Sequence, residues 1–176
     1  MTFDFTQEEQ SVFSDIQIIV LIRKAQGASY QQILKELPQI SSPKTLTSLF
    51  RWSLFGRRFE LHKTTGRPPS IGDVQLEIFK KIVEERCDEN NSIAIFEAVT
   101  ILEKIQGDYM WKNYNFAKNI GLNKLAYDLL DFEKIELSRT WLTQFLNHHN
   151  IQLKTPESLE EDKNKFCNSK ILIDFY

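Results

Sequence analysis

Histidine, cysteine and paired carboxylates are the side chains that most often run metal, nucleophilic or acid–base chemistry. This chain of 176 residues has three histidines and two cysteines. His148 and His149 are adjacent, so on a helix their side chains point about 100° apart and do not chelate one ion. His62 is remote from both in sequence. Cys87 and Cys167 show no Cys-x-x-Cys or Cys/His ligand spacing and read as reduced thiols of an intracellular protein. Glu84-Glu85 and Glu160-Glu161 lie in charged runs and read as solvated surface. No glycine-rich phosphate loop and no nucleophile-elbow pattern occurs. The expectation is a protein without catalytic residues, cofactor or bound metal.

The chemistry that the spacing does offer is attraction of a polyanion. Between Lys44 and Arg67 the charged residues are Lys44, Arg51, Arg57, Arg58, Lys63 and Arg67 against a single acid, Glu60. From Asp73 to Lys104 the balance reverses, with Asp73, Glu77, Glu84, Glu85, Asp88, Glu89, Glu97 and Glu103 against Lys80, Lys81, Arg86 and Lys104. The formal net charge of −2 hides this asymmetry. A basic block beside an acidic one suggests a DNA-facing part and a solvated or partner-facing part.

Helices must position these cations. Thr6 is a suitable cap for a helix over 7–25, with Gly27 as its stop. Ser29 caps a second helix to Leu37, ended by Pro38. Ser42-Pro43 supplies a cap and a first-turn proline for a third helix, reaching about Phe55 with Gly56 as the stop. Two short helices joined by a tight turn read as helix-turn-helix. On the third helix Leu46, Leu49, Phe50 and Ser53 share one side, expected to pack on Ile16, Ile19, Val20, Ile33 and Leu37. Lys44, Ser48, Arg51, Phe55 and Arg58 share the other, which suits a helix lying in the major groove.

Residues 57–72 read as a basic linker containing Gly66-Arg67-Pro68, an extended segment whose arginine can enter an A·T-rich minor groove or simply space two units. A second helical unit is expected over 73–155. It begins with a helix over 74–86 and one from Ser92 through Ile95, Phe96, Val99, Leu102 and Ile105. An irregular connection follows over 107–113, then a helix over 116–130 interrupted at Gly121. Ser138 caps the closing helix, with Trp141, Leu142, Phe145 and Leu146 inward and Arg139, Gln144, Asn147 and His148 outward.

Composition agrees with a folded, mostly helical chain: 41% hydrophobic, 26% charged, thirteen phenylalanines, and few glycines and prolines. No basic-then-apolar leader opens the sequence, and the apolar run 16–22 is far shorter than a membrane span, so a nuclear or cytoplasmic protein is expected.

These residues resemble a known arrangement. Two helix-turn-helix units joined by a basic Gly-Arg-Pro linker look like the DNA-binding region of Tc1/mariner- and pogo-type transposases. The run Ser138-Arg139-Thr140-Trp141-Leu142-Thr143-Gln144-Phe145-Leu146-Asn147-His148-His149 resembles the end of the CENP-B-type module, Ser-x-x-Trp-Leu-x-x-Phe-x-x-x-His. The resemblance covers roughly residues 7–155. The residues after Pro156 are too few for a DDE-type nuclease domain, so it implies a DNA-binding region without its catalytic domain. At the level of family character it is also similar to the homeobox-like accessory subunits of the ciliate DNA N6-adenine methyltransferase complex.

The reading is therefore an all-α protein in four segments: a first helix-turn-helix unit over 1–56, the linker over 57–72, a second unit over 73–155 and a tail over 156–176. It is expected to act in the nucleus as a non-catalytic protein that positions a partner or complex on double-stranded DNA. The alternative is an adaptor subunit of a DNA-modifying complex that binds chiefly protein. Candidate DNA contacts are Lys44, Thr45, Ser48, Arg51, Arg57, Arg58, Lys63, Arg67, Arg139 and Gln144. Ile171, Leu172, Ile173, Phe175 and Tyr176 form an apolar strip suited to a protein partner. The first unit and linker hold most of the cations and are expected to hold most of the DNA affinity.

Overall fold

The computed structural model describes residues 4–61, 71–88, 93–132, 137–151 and 153, with the side chains of residues 87, 88, 131 and 132 outside the description. It is all-α: among the described residues there are eight helices and no strand. They are α1 (Gln7–Val12), α2 (Asp15–Ala25), α3 (Tyr30–Glu36), α4 (Pro43–Leu54), α5 (Asp73–Asp88), α6 (Ile95–Asn119), α7 (Asn123–Phe132) and α8 (Arg139–His148).

The helix starts are set by local chemistry. Thr6 and Glu9 form a reciprocal capping box on α1, as do Ser29 and Gln32 on α3. Ser42 accepts the Thr45 N–H at the start of α4, with Pro43 in the first turn. Ser138 accepts the Trp141 N–H on α8.

The expected single helix over 7–25 is two. Phe13 is extended (φ −71°, ψ 142°), which ends α1 and turns its ring into the core at 5% exposure. Ser14 then restarts the chain, its N–H donating to Gln17 Oε1 at 3.1 Å. The expected irregular stretch over 107–113 is instead the middle of α6. A mid-helix glycine costs about 1 kcal/mol. Here Ile105, Gln106, Tyr109, Met110 and Asn113 are buried at helical spacing, and that burial outweighs the propensity of Gly107. The break comes at Gly121 (φ +77°), between α6 and α7.

The chain divides into two compact units, one of residues 1–79 and 102–136, the other of 80–101 and 137–176. The packing thus differs from the expected sequence of units over 1–56 and 73–155. The core of the first unit joins Val20, Leu21, Ile33, Leu46, Leu49 and Phe50 from α2–α4 to Tyr109, Met110, Phe116 and Ala117 from α6, Leu122 from the turn after it, and Leu125, Ala126 and Leu129 from α7. An apolar stripe fixes that a helix must be covered, not which helix covers it. Ile19, expected beside Val20, is 43% exposed. In the second unit Val83, Ile93, Ala98, Leu137, Leu142 and Leu146 are buried, and Arg86 pairs with Glu97.

The end of α4 is held by a close backbone crossing. Gly56 adopts φ +71°, and its carbonyl accepts the Val74 N–H at 2.8 Å. Gln75 lies against this turn, donating to the Phe55 carbonyl at 3.3 Å and to Gln106 Oε1 at 3.2 Å. A Cβ on Gly56 would fall 2.2 Å from Gln75 Oε1, and one on Gly72 2.3 Å from the Phe55 carbonyl.

Candidate nucleic-acid interface

The exposed side of α4 is where the sequence-predicted residues come together. Its buried side, Leu46, Leu49, Phe50, Ser53 and Leu54, faces α2 and α3 and fixes the helix in rotation. Tyr30 of α3 stacks on Phe50 with ring centroids 5.6 Å apart. What remains outward is Pro43, Lys44, Thr47, Ser48 and Arg51, lining an open depression of about 420 Å³. Lys44 sits near the positive end of the helix dipole, and Arg51 lies two turns further on. Two cations and a free-facing hydroxyl along one helix side can bind an anionic oxygen array such as a phosphate backbone.

Arg51 is not idle. Its guanidinium pairs with the carboxylate of Asp128 on α7, with side-chain exposures of 54% and 32%. Asp128 is not legible in the sequence as part of this surface. The two residues are 77 positions apart, and no local pattern connects them.

Other candidates stand elsewhere. Thr45 is half-buried, and its hydroxyl shares a hydrogen bond of 3.0 Å with Ser42, so it serves the helix start and not the outer face. Phe55 was expected on the outer side and is buried at 5% exposure, because its ring joins the core of the first unit and is covered by the Arg57 guanidinium. Arg57, expected to meet DNA, is buried at 6%. Its guanidinium lies over the rings of Trp52 and Phe55 at 5.9 and 5.5 Å. Burial pushes that guanidinium below its ordinary range, and the carboxylate of Asp73 opposes the shift. Arg58 is exposed, but its Nε is 3.6 Å from Glu60, and its backbone N–H donates to Asp73 Oδ2.

Arg139 and Gln144 are exposed on α8, in the second unit. On that helix Leu142 and Leu146 are buried, whereas Trp141 and Phe145 are only half-buried and stack on each other at 4.9 Å. The expected inward Trp141 is thus a partly covered ring. Lys63, Arg67 and the strip Ile171, Leu172, Ile173, Phe175 and Tyr176 lie outside the described residues.

Among the described residues no group of three or more His, Cys, Asp or Glu side chains could hold a metal ion. No described helix is long and apolar enough to cross a membrane. Fold and surface together define an all-α protein with one helix face bearing cations and hydroxyls. Comparison with protein-family models, curated proteins and solved structures returns no match.

Proposed function

We propose that this chain is a non-catalytic DNA-binding protein that positions a partner or complex on double-stranded DNA in the nucleus, with the outer side of α4 as its DNA contact. The observation that carries this reading is the shared exposure of Lys44, Ser48 and Arg51 along one side of a helix whose other side is locked into the core. The cation set at this face is smaller than the sequence suggests, since Arg57 is buried. The reading therefore calls for modest intrinsic affinity. Titration of a fluorescent duplex with the full chain at several salt concentrations tests it. Lys44→Ala and Arg51→Ala should each weaken binding and flatten the log–log salt slope by about 0.9 per lost phosphate contact. Unchanged affinity and slope in the double variant would remove α4 as the contact.

A second reading is favoured by a different observation. Trp111 and Tyr127 in the first unit and Phe96 in the second are 55%, 62% and 78% exposed. Large exposed aromatics are enriched at protein interfaces, which fits an adaptor subunit of a DNA-modifying complex, for example an adenine methyltransferase. In that case Trp111→Ala or Phe96→Ala would release co-purifying protein while leaving duplex binding unchanged.

A further inference from the structure

The placement of Asp128 goes one step beyond that reading. The outer side of α4 carries Lys44 and Arg51, and among the described residues only Arg51 of these two is met by an acid, from α7. The pair is an exposed one, with more than half of the Arg51 side chain open to solvent. Such pairs add little to fold stability, so the fold does not require Arg51 to stay with Asp128. Arg51 lines the same open depression as Lys44, Thr47 and Ser48. Its guanidinium therefore stands between two anions: the carboxylate already in the protein and any phosphate that docks along the helix. A guanidinium fork suits either partner through charge-assisted hydrogen bonds.

We infer that Asp128 is a built-in competitor for the nucleic-acid phosphate, holding Arg51 in the free protein and yielding it when a duplex docks on α4. The inference rests on α4 being the DNA contact. It makes Asp128 a determinant of affinity, although it touches no nucleic acid itself. The pair lowers affinity for any backbone that must take Arg51 from it, and a duplex also anchored at Lys44 offsets that cost. This is selection by competition, the repulsive half of specificity.

The experiment is duplex titration of the full-length chain, wild type against Asp128→Asn and Asp128→Ser, each also in an Arg51→Ala background, with Lys44→Ala alongside. Both ends of the pair are partly exposed, so the variants should fold, and thermal melting checks this. An exposed pair holds Arg51 only weakly, so removing its carboxylate should tighten duplex binding about 1.5- to 5-fold, with the log–log salt slope near that of the wild type because Arg51 reaches the phosphate in both proteins. The gain should vanish when Arg51 is alanine. If the gain persists without Arg51, Asp128 acts only through bulk charge and the inference falls. If Asp128→Asn and Asp128→Ser change nothing while Lys44→Ala still weakens binding, the competitor role falls and the DNA contact stands. If Lys44→Ala and Arg51→Ala also change nothing, both fall.

Discussion

Gly56→Ala tests whether the crossing that anchors the end of α4 is as tight as the structure has it. Two costs arise. A residue with a Cβ at φ +71° pays about 1–2 kcal/mol for the left-handed conformation. The new methyl would then sit 2.2 Å from Gln75 Oε1 and 2.9 Å from the Tyr109 ring, both on buried side chains. Gln75 cannot move aside without losing its bonds to the Phe55 carbonyl and Gln106, worth about 1 kcal/mol each, and overpacking adds about 1–3 kcal/mol. The total is about 4–7 kcal/mol, a large share of the ~5–15 kcal/mol that holds a domain folded. Gly27→Ala is the control: it also has a positive φ, +89°, but nothing lies within 4 Å of its Cβ. It should cost only the conformational part, about 1–2 kcal/mol. Urea denaturation of the two variants reads the difference directly. Equal losses would show that the crossing is not close-packed, and that the register of α5 against the end of α4 has been misplaced.

Arg57→Ala should lower the melting temperature and leave the salt slope of duplex binding unchanged, because its guanidinium is buried over Trp52 and Phe55; a flattened slope with an unchanged melting temperature would return Arg57 to the DNA face. Tyr109 is held well above the ordinary phenol range, first by burial and then by the nearby Glu9 carboxylate. A phenol whose folded value is raised contributes stability that is fully present below its unfolded value, about pH 10, and is lost as pH rises beyond it. Tyr109→Phe should therefore blunt alkaline unfolding above about pH 10, followed by circular dichroism against pH; identical alkaline profiles would rule out this coupling. Trp141→Ala should cost about 1–2 kcal/mol and not the ~3–5 kcal/mol of a fully buried ring, because Trp141 is only half-covered and stacks on Phe145. Denaturant midpoints for Trp141→Ala and Leu142→Ala should rank the leucine as the costlier loss.

The all-α class and most helix starts were legible along the chain, because both are local. Thr6, Ser29, Ser42 and Ser138 cap through side chains within three residues of their targets. The buried side of α4 was equally legible, since Leu46, Leu49, Phe50 and Ser53 recur at helical spacing and all are buried. Local signals misled where packing outweighed them. Gly107 looked like a break, yet it lies in a helix whose flanking residues are buried, while Phe13 looked helical and was drawn into the core by the turn at Ser14. Helical counting put Phe55 on the outer side of α4 and charge put Arg57 at the DNA, yet both are buried. Tertiary structure alone decided that α6 and α7 complete the core begun by α2–α4 and that Asp128 meets Arg51 across 77 residues. Both depend on which apolar stripe covers which. Stripes of Leu, Phe and Ile are interchangeable in one dimension, and only close packing in three selects the partner.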